Sequence, residues 1–146
     1  MIGLFNIVGT LTSGYFAQKY SKKLILSAIY LARGLVIIIF IFLPPSPIIA
    51  VFFGIAFGFL WLSTVPPTMG LVGFIFGTKY IALLYGIVFL SHQVGAFIGA
   101  YLGGYFYDQF GSYDYAFYMA IALSIFATIV HYPINEQPIE RSEATI

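Results

Sequence analysis

The chain has 146 residues, of which 61% are hydrophobic and 8% charged, against about a quarter charged in an average soluble domain. That shortage of charge argues against a soluble fold, and a formal net charge of +1 leaves too little basic surface to neutralise the phosphates of a nucleic acid. With no cysteine, disulfides and thiolate metal sites are ruled out.

A hydrocarbon core about 30 Å thick takes roughly 20 apolar residues at 1.5 Å rise per residue. Five stretches approach or exceed that length, near residues 1–17, 24–43, 48–76, 80–107 and 115–132. The connectors between them are short, residues 18–23, 44–47, 77–79 and 108–114, which suits antiparallel helices. The runs are continuous, without the period-two alternation of a membrane β-barrel. The expected fold class is therefore an all-α membrane protein with five transmembrane helices, residues 1–132, followed by a polar tail, residues 133–146, that reads as disordered.

The first span lacks a basic flank before it and a cleavage region after it, so it reads as a retained helix and not a secretory signal. Asn6, Gly9, Thr10 and Ser13 share one of its faces. The second span carries Arg33 about ten residues from either end, too deep to reach water by snorkelling. An Arg at that depth belongs in a bundle interior or a wet cavity, either as an anion-binding or gating group or as a cap on backbone carbonyls of a neighbouring helix.

On the third span Gly54, Gly58, Trp61, Thr64 and Thr68 fall on one face, and Pro66-Pro67 interrupts the hydrogen-bond ladder, predicting a kink that acts either as a hinge or as a static bend. Trp61 is the sole tryptophan and sits at mid-depth, for solute stacking or for core packing. On the fourth span His92 shares a face with Gly95, Gly99 and Gly103, a small-residue face suited to close helix contact. Gln93 lies on the adjacent face and is the better candidate for a cavity. The last span sets Ala116, Ala120, Ser124, Ala127 and His131 together as a packing stripe with no assigned chemistry.

Successive connectors alternate sides of the bilayer. Lys19, Lys22, Lys23, Lys79 and Arg141 all fall on one side, which the bias of cytoplasmic loops toward Lys and Arg makes the cytoplasm. The carboxyl terminus is then cytoplasmic. An odd number of spans, with the first beginning at Met1 on the outer side, leads to the expectation that helices upstream are missing.

Three stretches carry a resemblance. Residues 9–23, from Gly9-Thr10-Leu11 to Ser21-Lys22-Lys23, look like a repeated cytoplasmic loop motif, though Gln18-Lys19 stands where the motif has Asp-Arg. Val65-Pro66-Pro67-Thr68-Met69-Gly70 with Phe76-Gly77-Thr78-Lys79 is the second. Ser91-His92-Gln93-Val94-Gly95, running to Gly103-Gly104 and Tyr107-Asp108, is the third. Together they resemble the carboxyl-terminal half of a major facilitator superfamily transporter, nearest the bacterial monocarboxylate and oxalate-formate branch.

The resemblance implies the last five of twelve helices, part of a six-helix bundle, in a bacterial inner membrane. It implies solute transport by alternating access, with the missing amino-terminal helices and the lipid bilayer as partners. On that reading Asn6, Thr10, Trp61, Thr64 and Gln93 are candidates to contact solute. Arg33, His92, Pro66 and Pro67 are candidates for coupling or gating, and Gly95, Gly99 and Gly103 for helix packing. Arg33 favours an anionic solute such as a small organic acid. His92 is the one mid-depth side chain with an ordinary pKa near neutrality, so a coupled proton falls either to it or to a carboxylate in the missing half.

No paired carboxylates, serine-histidine-acid set, metal-binding histidine cluster or phosphate-cradling loop is legible. An enzyme, a metal and a cofactor are accordingly not expected. The competing reading is a stand-alone five-span membrane subunit that packs onto a partner protein through its glycine faces.

Overall fold

Inside lipid a backbone finds hydrogen-bond partners only in itself, so an unbroken apolar run becomes helix until a proline, a glycine or a polar connector stops it. The computed structural model describes residues 2–139, which leaves Met1 and Arg141 outside the described residues. It contains α1 (Ile2–Lys19), α2 (Lys22–Phe42), α3 (Pro47–Trp61), α4 (Val65–Phe76), α5 (Ile81–Phe110) and α6 (Asp114–His131). No strand occurs among the described residues. Four segments are long and apolar enough to cross a membrane, Lys22–Phe42, Pro47–Phe76, Ile81–Phe110 and Asp114–His131. The protein is an all-α, multi-pass membrane protein.

Local chemistry sets the ends. Ser46 begins α3, its Oγ accepting from the Ile49 amide at 3.3 Å with Pro47 in the first turn. At the end of α5, Gly111 adopts the left-handed φ of 68° that a side chain would resist, and its amide donates to the Tyr107 carbonyl at 2.8 Å.

The long third run is two helices. Pro66 and Pro67 have no amide, so the carbonyls of Leu62 and Ser63 lose the donors a continuous helix would give them. The Val65 amide turns to the Leu62 carbonyl at 3.0 Å, and α4 starts afresh with both prolines in its first turn, where no amide is needed.

Packing inside the chain is by backbone more than by bulk. The buried apolar residues are Ala17, Leu26, Ile29, Ile37 and Leu71, while most large apolar side chains face outward, as lipid contact requires. A Cβ on Gly9 would overlap the Phe59 carbonyl and lie 2.6 Å from Ser63 Oγ, and one on Gly58 would lie 2.8 Å from the Ile2 carbonyl oxygen. Thus α1 lies almost directly on α3. The stripe on α6 meets α2: Ser124 stands against Gly34, and Ser27 Oγ donates to the Thr128 carbonyl at 3.2 Å.

Helix α5 is the exception. It touches α4 and α6, with Ile81 against Gly73 at its start and the Phe110 ring tilted against that of Tyr115, centres 4.4 Å apart, at its end. No α5 residue is buried. A Cβ on Gly95, Gly99 or Gly103 would meet nothing within 4 Å, so the helix contact expected of this face is not made by the described residues. The helix is held near its two ends, and a cavity separates its middle from α2 and the α3–α4 break.

The tail departs from its expected disorder up to Ile139. Glu136 Oε2 accepts from Ser21 Oγ at 2.6 Å and Oε1 from the Lys22 amide at 3.1 Å, and the Lys22 ammonium stands 3.3 Å from Oε1. The Ile139 amide donates to the Ile75 carbonyl at 2.9 Å. Burial alone would raise the Glu136 carboxyl, but the hydrogen bonds from Ser21, from the amides of Lys22 and Lys23 and from the Lys22 side chain outweigh it and hold its pKa below the ordinary value.

Candidate functional site: a broken helix beside a polar cavity

The proline pair leaves backbone groups to be satisfied by side chains from other helices. In a continuous helix the Trp61 carbonyl would accept from the Val65 amide, which has turned to Leu62 instead. Arg33 on α2 supplies the replacement: its Nη2 donates to the Leu60 carbonyl at 2.8 Å and to the Trp61 carbonyl at 3.0 Å. From α1, Asn6 Oδ1 accepts from the Leu62 amide at 2.8 Å. The break is thus held from two helices at once.

Arg33 keeps donors in reserve. Its Nε is buried and has no hydrogen-bond partner, and its Cζ lies 5.3 Å from the Tyr30 ring centre and 6.0 Å from that of Trp61. Such ring faces favour a cation. The single ion pair among the described residues, Lys22 with Glu136, involves neither Arg33 nor its neighbours.

Beside this arrangement lies a cavity of about 460 Å³. Tyr30 and Arg33 of α2, Trp61, Leu62 and Thr64 of the break, and Val65 and Thr68 of α4 form part of its wall. The rest comes from Tyr85, Val88, Phe89, Ser91, His92 and Ala96 of α5 and from His131 of α6. Its wall is far more polar than that of the apolar hollow of about 310 Å³ around Phe40 and Phe53.

The structure divides the predicted residues. Arg33, Trp61, Thr64 and His92 converge on the cavity. Asn6 and Thr10 line a separate hollow of about 370 Å³ with Leu62, which borders both. The Thr10 hydroxyl is committed to the Asn6 carbonyl at 2.8 Å. Gln93 lines neither space and is exposed, because the α5 face turned to the cavity is that of Phe89, His92 and Ala96. The His92 side chain makes no hydrogen bond among the described residues; the Phe89 ring lies 6.2 Å away. Pro66 and Pro67 act through the backbone and do not line the cavity, and Pro67 is fully buried. Arg33 caps carbonyls of a neighbouring helix and also forms cavity wall.

Tyr30, Thr68, Tyr85, Phe89, Ser91 and His131 also form the cavity wall and are not among the site residues that the sequence nominates. Tyr30 was accessible, three residues before Arg33 and so on its face. His131 was grouped with a packing stripe; its Nδ1 lies 2.7 Å from the Ala127 carbonyl and its ring 5.1 Å from Tyr30.

Comparison with known proteins gives two results. The family model described as Major Facilitator Superfamily matches residues 1–145. The "Uncharacterized MFS-type transporter YcxA" of Bacillus subtilis (strain 168) is 29% identical over 120 residues, covering 76% of this chain and 28% of that protein. The chain therefore spans well under half the length of the curated relative it matches. No solved structure matches.

Proposed function

The chain belongs to the major facilitator superfamily, and from that premise we propose that it is part of a secondary transporter, contributing the last five of its twelve spans. On this reading the complete protein moves a small organic anion across the bacterial cell membrane by alternating access, with the carboxyl terminus in the cytoplasm. The observation that carries the reading is the α3–α4 break, pinned by Arg33 and Asn6 at the edge of a polar cavity. Discontinuous helices that expose backbone groups beside a cavity are a recurring way for transporters to build solute sites.

Each residue then has a role. Arg33 supplies positive charge at the cavity, Trp61 and Thr64 shape its wall, and Pro66-Pro67 forms the flexible point between α3 and α4. His92 faces the cavity and is suited to carry a coupled proton. Asn6 fixes the break from behind. The open glycine face of α5, with Gln93 beside it, is where the amino-terminal helices pack and complete the pathway.

The test is solute counterflow by the full-length protein reconstituted in liposomes, using labelled organic acids. Saturable exchange by the full-length protein, lost in Arg33→Gln and absent for this chain alone, is the expected result. Exchange by this chain alone, or none by the full-length protein for any solute, overturns it.

A further inference from the structure

The Arg33 guanidinium is a cation with no carboxylate partner among the described residues, and its Nε is buried without an acceptor. An unpaired charge in a span is costly, and a buried donor without an acceptor adds to that cost. Nη2 alone is occupied, by the carbonyls of Leu60 and Trp61. The remaining guanidinium donors have the chemistry to receive one carboxylate group.

The surroundings narrow the ligand further. Tyr30, Trp61, Tyr85 and Phe89 bring four aromatic rings to the same cavity as Arg33. Two of them flank the guanidinium at 5.3 and 6.0 Å. A flat ring carrying the carboxylate can lie against these faces, where offset or edge contact between rings is favourable. Thr68 and Ser91 add hydroxyls to the wall, and Arg33 is its one permanently charged side chain beside the imidazoles of His92 and His131, which suits one carboxylate better than two. At about 460 Å³ the cavity has room for a single-ring acid.

We infer that this cavity binds aromatic monocarboxylates, the carboxylate on Arg33 and the ring between Trp61, Tyr30 and Phe89. The inference rests on reading the cavity as a solute site, and it adds the chemical class that the site selects.

Trp61 is the sole tryptophan of the chain, so its emission reports on the site directly. The experiment is titration of the chain in phosphatidylethanolamine–phosphatidylglycerol nanodiscs with benzoate, with benzyl alcohol, and with acetate in competition against benzoate. Benzoate is expected to change Trp61 emission saturably, with acetate and benzyl alcohol each weaker by about tenfold or more, the worth of one charge-assisted contact or one ring contact. Arg33→Gln should weaken benzoate by a further factor of about ten to a hundred, with Arg33→Lys recovering part of the loss. Equal binding of acetate and benzoate shows that the ring is not read, and equal binding of benzyl alcohol shows that the charge is not read. Either result, or no saturable change with any of the three, overturns the inference, and these comparisons need no variant to fold. Counterflow of aliphatic acids alone by the full-length protein would leave transport standing while removing this selectivity. Benzoate binding without any counterflow would do the reverse.

Discussion

Ser21 and Glu136, 115 residues apart in sequence, share a hydrogen bond of 2.6 Å that ties the tail to the start of α2. The same carboxylate accepts from the amides of Lys22 and Lys23 at 3.1 and 3.4 Å. These amides open a helix and have no intrahelical acceptor, so a carboxylate there is favoured by hydrogen bonding and by the helix dipole. The folded pKa of Glu136 is lowered. Its stabilisation is therefore complete above the unfolded carboxyl value and is lost as pH falls through the lowered folded value. Protection of the Lys22 and Lys23 amides, relative to their intrinsic exchange rates, should be high at neutral pH and fall through that acidic range. Glu136→Gln should remove the pH dependence and cost about 1–2 kcal/mol.

Asn6→Ala leaves the Leu62 amide without the acceptor it has at 2.8 Å. An unsatisfied amide in a low-dielectric setting costs about 1–3 kcal/mol. The expected result is faster hydrogen exchange at Leu62 with the helices otherwise intact, read by mass spectrometry of the peptide around the break. Unchanged exchange there would show that Asn6 does not hold it.

Two glycines should respond in opposite ways. Gly9→Ala would drive a methyl into the Phe59 carbonyl, separating α1 from α3 at a cost of about 1–3 kcal/mol. Gly99→Ala meets nothing within 4 Å and should stabilise this chain by about 0.5–1 kcal/mol through helix propensity. Thermal unfolding in detergent distinguishes the two. On the proposed transporter reading, in which the open face of α5 receives further helices, Gly99→Ala in the complete protein should instead impair transport.

Replacing Pro66 and Pro67 together by alanine restores two amides opposite the Leu62 and Ser63 carbonyls. The segment should then run as one helix, because the interruption of about 3 kcal/mol per proline is gone. Slower amide exchange over residues 62–67 is the expected signature, together with a shift of Trp61 emission as Arg33 loses the Trp61 carbonyl. Unaltered exchange would mean that contacts with α1 and α2, and not the prolines, impose the break.

The positions of the long helices were legible because apolar length is itself the signal for a membrane span, and the break was legible because a missing amide is a local property of Pro66 and Pro67. The rotation of each helix was not. These helices are apolar nearly all round, so periodicity carries little information about which face is inward. Hence Gln93 was expected at the cavity although Phe89, His92 and Ala96 line it, and Asn6 was grouped with Trp61 although it holds the break from the opposite side.

Sequence alone determined that the chain is a helical membrane protein, which polar groups it carries into the bilayer, and where its ladder must fail. Tertiary structure decided which groups answer that failure. Arg33 reaches Leu60 and Trp61 across 27 and 28 residues, and Asn6 reaches Leu62 across 56. Such pairings depend on how closely whole helices approach, which Gly9 and Gly58 set by having no side chain to keep α1 from α3.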